Sequence, residues 1–89
     1  MRKSEAYFTF EEEMKTLIKE YRKRYGLTQQ QLADRVYVTK RTIISIEKGY
    51  YNPSIMLAYR IAEVFNTSIE DLCCLKENKR EEDEANNAN

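Results

Sequence analysis

Four hydroxyl residues, Thr28, Thr39, Ser54 and Thr67, each stand directly before a run whose apolar residues recur every three or four positions. A hydroxyl at that place accepts a hydrogen bond from one of the backbone N–H groups that the first helical turn leaves unpaired. Gln31 and Glu70, three residues beyond Thr28 and Thr67, complete two capping boxes, and Thr9 with Glu12 fits a third before the first helix. Gly26, Gly49 and Asn66 follow the preceding runs, where a left-handed residue closes a helix. Asn52-Pro53 is turn chemistry, because proline cannot continue a helix. Start signals, stop signals and periodicity agree at each joint, and that agreement confines the chain to an all-α fold of short helices.

Five helices follow from this pattern. The first runs from about Phe10 to Arg24, with Met14, Leu17, Ile18, Tyr21 and Tyr25 on its buried face. The second starts at Thr28 and buries Leu32, Ala33 and Val36. The third starts at Thr39 and ends at Gly49. The fourth starts at Ser54 and buries Leu57, Ala58, Ile61, Ala62 and Phe65. The fifth starts at Thr67 and carries Ile69 and Leu72, with Leu75 near its end. Residues 1–9 form an extension whose Tyr7 and Phe8 can pack on the first turn, or pair as a short strand through Ala6–Phe10. Residues 10–75 form the domain. Residues 76–89 are charged, rich in Asn and nearly free of apolar side chains. Such a segment buries too little surface to offset its ordering entropy, so it reads as a disordered tail.

Composition excludes several functions. The chain has no histidine, only two glycines and two cysteines, and the cysteines, Cys73 and Cys74, are adjacent. This removes histidine-based nucleophile arrangements, a glycine-rich phosphate loop and a four-ligand zinc site. Adjacent cysteines bridge only with strain, so two reduced thiols in a cytoplasmic protein are expected. The sequence argues against an enzyme and implies no cofactor, metal or small-molecule substrate. No apolar run is long enough to span a membrane, and no secretory leader is visible.

The net charge of zero hides an uneven distribution. Residues 14–49 carry nine basic and three acidic side chains, a net of +6, while each flanking segment is acidic. A polyanion responds to that local patch rather than to the total. Within the patch, the third helix divides into two edges at about 100° per residue. Ile43 and Ile46 define a buried edge. Arg41, Ile44, Ser45 and Lys48 cluster on the opposite face, with Lys40 and Glu47 flanking. An outward isoleucine among basic and hydroxyl groups fits a DNA major groove, where arginine bonds guanine, lysine reaches a base or phosphate, and an aliphatic group meets a thymine methyl.

With these residues in view, the chain resembles the Cro/cI-type (XRE) helix-turn-helix family, whose fold is that of the lambda-repressor-like DNA-binding domain. The resemblance is carried by Thr28-Gln29-Gln30-Gln31-Leu32-Ala33, Val36-Tyr37-Val38-Thr39, Thr42-Ile43, Ile46-Glu47-Lys48-Gly49 and Asn52-Pro53-Ser54. It implies a five-helix domain that binds double-stranded operator DNA as a homodimer and regulates transcription, most often as a repressor. By position it implies base contacts from Thr39, Lys40, Arg41 and Ser45, joined by Ile44 from the face analysis. It implies phosphate contacts from Gln29, Lys48, Tyr50, Tyr51 and Asn52, and an ion pair between Arg22 and Glu47. The family often has glycine where this chain has Tyr37, and a tyrosine in left-handed conformation costs about 1–2 kcal/mol. Leu72, Cys73, Cys74 and Leu75, together with Tyr7, Phe8 and Phe10, are the apolar residues left for pairing two copies. The competing function is a protein-interaction module, such as an antitoxin, built on the same fold.

Overall fold

The structure is a computed structural model and describes residues 15–87. The described residues hold six helices and no strand: α1 Ile18–Arg24, α2 Gln29–Arg35, α3 Lys40–Glu47, α4 Ile55–Val64, α5 Ile69–Leu72 and α6 Leu75–Asn87. The fold is all-α, as the capping pattern requires.

Three starts lie where the hydroxyls place them. Thr28 and Gln31 form a reciprocal capping box: the Gln31 backbone N–H donates to the Thr28 hydroxyl (3.0 Å), and the Thr28 N–H donates to the Gln31 side-chain oxygen (2.8 Å). Thr39 accepts from the Thr42 N–H (3.2 Å) and Ser54 from the Leu57 N–H (3.1 Å). The fourth start is one residue later than expected. Ser68, not Thr67, caps α5 by accepting from the Asp71 N–H (3.1 Å). Thr67 instead bonds its hydroxyl to that of Tyr21 (3.2 Å), a tertiary contact that propensity does not reveal. Tyr37, Asn66 and Cys74 take positive φ values of 65°, 55° and 50°, and Gly26 and Gly49 do the same.

The core is formed by Ile18, Leu32, Ala33, Val36, Ile43, Ile46, Leu57, Ala58, Ile61, Ala62, Phe65, Leu72 and Cys73. Phe65 is its aromatic centre. Tyr21 stacks on it at 5.6 Å, and Tyr25 tilts against it at 5.2 Å while donating its hydroxyl to the Phe65 carbonyl (2.8 Å). Such pairs add to area burial by favouring one ring geometry. Leu72 and Cys73 belong to this core and so are not available for pairing copies. Burial pushes the Cys73 thiol up, and burial with nearby Glu77 and Glu20 does the same for Cys74. Both thiols therefore stay protonated and weakly nucleophilic near neutral pH.

Two expectations about the ends are corrected. Helix α1 begins at Ile18, and residues 15–17 are not helical. The Leu17 N–H donates to the Leu72 carbonyl (2.7 Å), and Leu17 itself is 37% exposed rather than in the buried face. Backbone bonds to distant residues compete here with the helical ladder. Tyr7, Phe8, Phe10 and Met14, the alternative strand, and the start expected at Phe10 lie outside the described residues.

The second correction concerns residues 76–87, expected as a disordered tail; they continue instead as α6. No apolar stripe holds it. Asn78, 7% exposed, accepts from the Lys15 N–H (3.0 Å) and donates to the carbonyls of Lys15 (2.9 Å) and Cys73 (2.8 Å). Lys15 also pairs with Glu81 at 2.6 Å, and Lys79 with Asp83 one turn on at 2.6 Å. Good helix formers and a satisfied polar clamp substitute for apolar burial. The described residues thus hold one helix more than the five that periodicity marks.

Candidate nucleic-acid interface

Helices α2 and α3 form the helix-turn-helix. The turn between them is Val36-Tyr37-Val38: Val36 is buried, Val38 packs partly against the core, and the Val38 N–H donates to the Ala33 carbonyl (3.1 Å). Helix α3 is eight residues long and has two distinct edges. Ile43 and Ile46 are buried, which fastens one edge to the core. On the other, Lys40, Arg41 and Lys48 are exposed and Ile44 and Ser45 are half-buried. Among the described residues, none of the three cations has an ion-pair partner.

The end of α3 is fixed by a buried ion pair. Arg22 donates from Nε to Glu47 Oε2 (2.6 Å) and from Nη2 to Oε1 (3.2 Å), with side-chain exposures of 11% and 4%. Arg22 Nη1 also donates to the Leu27 carbonyl (2.9 Å). Gln29 Nε2 donates to Glu47 Oε1 (3.0 Å), a link that local spacing does not announce. Three N–H donors from α1 and α2 thus converge on one carboxylate of α3, which leaves its charge neither unpaired nor short of hydrogen bonds. Arg22 and Glu47 brace α3 from its buried side.

The remaining candidates spread over a wider surface. Gln29, at the start of α2, is half-buried and oriented by Glu47. Thr39 is exposed, and its hydroxyl is engaged with the Thr42 N–H and hydroxyl, so capping already uses part of its hydrogen-bonding capacity. Tyr50, Tyr51 and Asn52 lie exposed in the α3–α4 loop. The Tyr50 N–H donates to the Ser45 carbonyl (2.9 Å), so this loop is tied directly to α3. The loop tyrosines do not fold back as core residues.

The arrangement is a cationic, partly aliphatic helix face beside a loop of hydroxyl and amide groups. That chemistry suits a phosphate backbone flanking readable base edges. Among the described residues there is no cluster of His, Cys, Asp and Glu that could hold a metal ion, and no helix is long and apolar enough to cross a membrane.

Comparison with known proteins agrees with the geometry. The helix-turn-helix family matches residues 18–72. The chain belongs to the Cro/cI-type (XRE) helix-turn-helix family. An uncharacterized HTH-type transcriptional regulator of Archaeoglobus fulgidus is 58% identical over 59 residues, spanning 66% of this chain and 84% of its own length. A second, from Methanothermobacter thermautotrophicus, is 55% identical over 65 residues, spanning 72% and 94%. A competence pilus inhibition repressor of Acinetobacter baylyi is 46% identical over 59 residues, spanning 64% of this chain and 52% of its own length. The family match begins at Ile18 and ends at Leu72, so it covers α1–α5 and stops before α6.

Proposed function

We propose that this chain is a transcriptional regulator that reads double-stranded DNA with α3 in the major groove, acting as a homodimeric repressor. The observation that carries the reading is the unpaired, like-signed edge of α3, held outward by a buried edge and a braced end. Arg41 and Lys40, near the N-terminus of α3, read base edges with Thr39 and Ser45, and Ile44 meets a thymine methyl. Gln29, Lys48, Tyr50, Tyr51 and Asn52 hold the flanking phosphates and set the register. Relatives named as transcriptional regulators, one of them a repressor, support the class of function. No catalytic chemistry is assigned to the chain, and a cytoplasmic location fits the reduced thiols.

One α3 presents few base-reading side chains, so two copies are needed for useful specificity. A two-fold pair sets its reading helices about 34 Å apart, on half-sites one turn apart. With Leu72 and Cys73 in the core, exposed apolar side chains among the described residues that suit pairing include Leu75 at the start of α6 and Ile55, Met56 and Tyr59 on α4.

The test is selection of bound duplexes from a random pool, followed by affinity measurement across salt concentrations and mass measurement in solution. A palindromic consensus, a steep loss of affinity with salt and a dimer mass are expected. Absence of duplex binding at low salt overturns the DNA reading; a monomer that binds a single half-site tightly overturns the dimer.

A further inference from the structure

Helix α3 is fastened differently at its two ends. Its C-terminal end is locked by Glu47 within the Arg22 and Gln29 network. Its N-terminal end, which carries Lys40 and Arg41, has no equivalent among the described residues. The Thr39 side chain bonds only to Thr42, inside the same first turn. The turn that feeds it bonds back to α2, through the Val36 and Val38 N–H groups. Among the described residues, the one polar link from this end of α3 to a more distant part of the fold is made by Tyr37. Its ring, although 80% exposed, lies under the Arg60 guanidinium of α4, at 5.6 Å from the ring centroid.

Tyr37 also sits at φ 65°, where a side chain other than glycine, asparagine or aspartate is strained. A bulky, exposed residue in that conformation marks a position where something offsets the strain. The cation over the ring is such a compensation, because the ring face attracts a guanidinium. Helix α4 shares one core with α3, Ile43 and Ile46 packing with Leu57, Ala58 and Ile61, and is joined to it by the loop at residues 48–54, at the far end of α3. The Tyr37–Arg60 contact therefore closes a frame: α4 meets the helix-turn-helix both at the loop and at the turn.

We propose that Arg60 is a positioning residue for DNA recognition: by clasping Tyr37 it holds the α2–α3 turn against α4 and sets the tilt at which Lys40 and Arg41 meet the bases. The inference rests on the DNA-binding reading above. Arg60 acts through Tyr37 and does not itself touch DNA. Its effect falls on discrimination between sequences, which depends on tilt, rather than on general attraction to phosphate.

The experiment uses the full chain, a duplex recovered by selection and a random duplex of equal length. Arg60→Ala weakens binding to the selected duplex roughly two- to fivefold, as expected for removal of one exposed cation–π interaction. Binding to the random duplex and the salt slope stay as in the parent. Tyr37→Asn removes the ring but tolerates the backbone, as Asn66 does in this chain at φ 55°; it gives the same loss, and the double variant loses no more than either single one. Tyr37→Phe and Arg60→Lys retain most of the affinity. Parent-like binding by Arg60→Ala overturns the proposal, as do equal losses on both duplexes or losses that add in the double variant. A salt slope lowered by about one phosphate overturns it by making Arg60 a backbone contact. A parent chain that binds no duplex fails the functional reading itself, a result distinct from parent binding that the variants leave unchanged.

Discussion

Helices α3 and α6 both carry many charges, yet they treat them in opposite ways. In α3 the acidic residue is turned inward and neutralised by Arg22, and the cations Lys40, Arg41 and Lys48 are left outward with no ion-pair partner among the described residues. In α6 three cations share the helix with five anions, and ion pairs form within it at Lys79–Asp83 and with the incoming chain at Lys15–Glu81. Helix α3 is held by isoleucines and a buried ion pair, and α6 by the three hydrogen bonds of Asn78. The difference separates a surface whose outward charges share one sign, as the proposed DNA contact requires, from one of mixed sign. A charged helix is a nucleic-acid site only where one sign is left without partners, so counting charges would not distinguish the two.

The largest effect that tests this contrast lies at the inward acid. Arg22→Ala leaves Glu47 buried with Gln29 as its only side-chain donor, and an orphaned charge of that kind costs about 3–5 kcal/mol. Unfolding in urea should show that loss. A variant within about 1 kcal/mol of the parent on that scale would mean that α3 is fixed by its isoleucines alone. The second effect lies at the other helix. Asn78→Ala removes three bonds at once and leaves backbone groups of Lys15 and Cys73 unpaired, at about 1–3 kcal/mol. The loss should appear as faster amide exchange along α6, with α3 protection and DNA affinity unchanged. If α3 loosens too, the two helices are one cooperative unit and the contrast fails.

These two sites also show which parts of the molecule are legible in sequence. The starts of α2, α3 and α4 are readable because each is set by a local device, Thr28 with Gln31, Thr39 with Thr42 and Ser54 with Leu57, whereas the left-handed turn at Tyr37 is implied by the family resemblance and not by its side chain. The two edges of α3 are readable from angular spacing alone. What escapes is non-local. Thr67 has every local mark of a cap, and nothing near it announces that Tyr21 bonds its hydroxyl. Leu17 has the spacing of a core residue, and periodicity does not register a backbone bond to Leu72. Helix α6 is invisible to a composition argument, which weighs only apolar surface, because its anchor is one asparagine. At the interface, the outward set on α3 is legible in the same local way, while the tie between Gln29 and Glu47 and the Arg60 contact with Tyr37 join residues far apart in sequence. Propensity and spacing reach as far as one turn; the fastening of one element to another lies beyond them.

The next effects are measured on DNA. Arg41→Ala should cost about 1–3 kcal/mol on the selected duplex and relax base choice at one position per half-site. Lys48→Ala should weaken all duplexes alike and lower the salt slope by about 0.9 for each phosphate that Lys48 neutralises. Unchanged affinity in both would mean that the outward edge of α3 is ordinary solvated surface.

The smallest effect is expected from the charges that α6 pairs within itself. Lys79 and Asp83 are both well exposed at 77% and 53% of their side chains, so solvent screens their attraction and little of it reaches stability. The hydrogen bond to Asp83 and its charge raise the Lys79 pKa, so Lys79 keeps its proton at neutral pH and the link weakens on the alkaline side as pH climbs beyond the ordinary lysine range. Lys79→Ala should therefore leave the unfolding midpoint, duplex affinity and salt slope where they are. The same lysine-to-alanine change at Lys48 should move the last two. Both residues are exposed lysines on a helix or at its end, and they differ in whether a carboxylate among the described residues answers them. If Lys79→Ala lowers duplex affinity as much as Lys48→Ala does, α6 also lies along the DNA backbone, and the division between a surface for partners and a surface for itself is drawn in the wrong place.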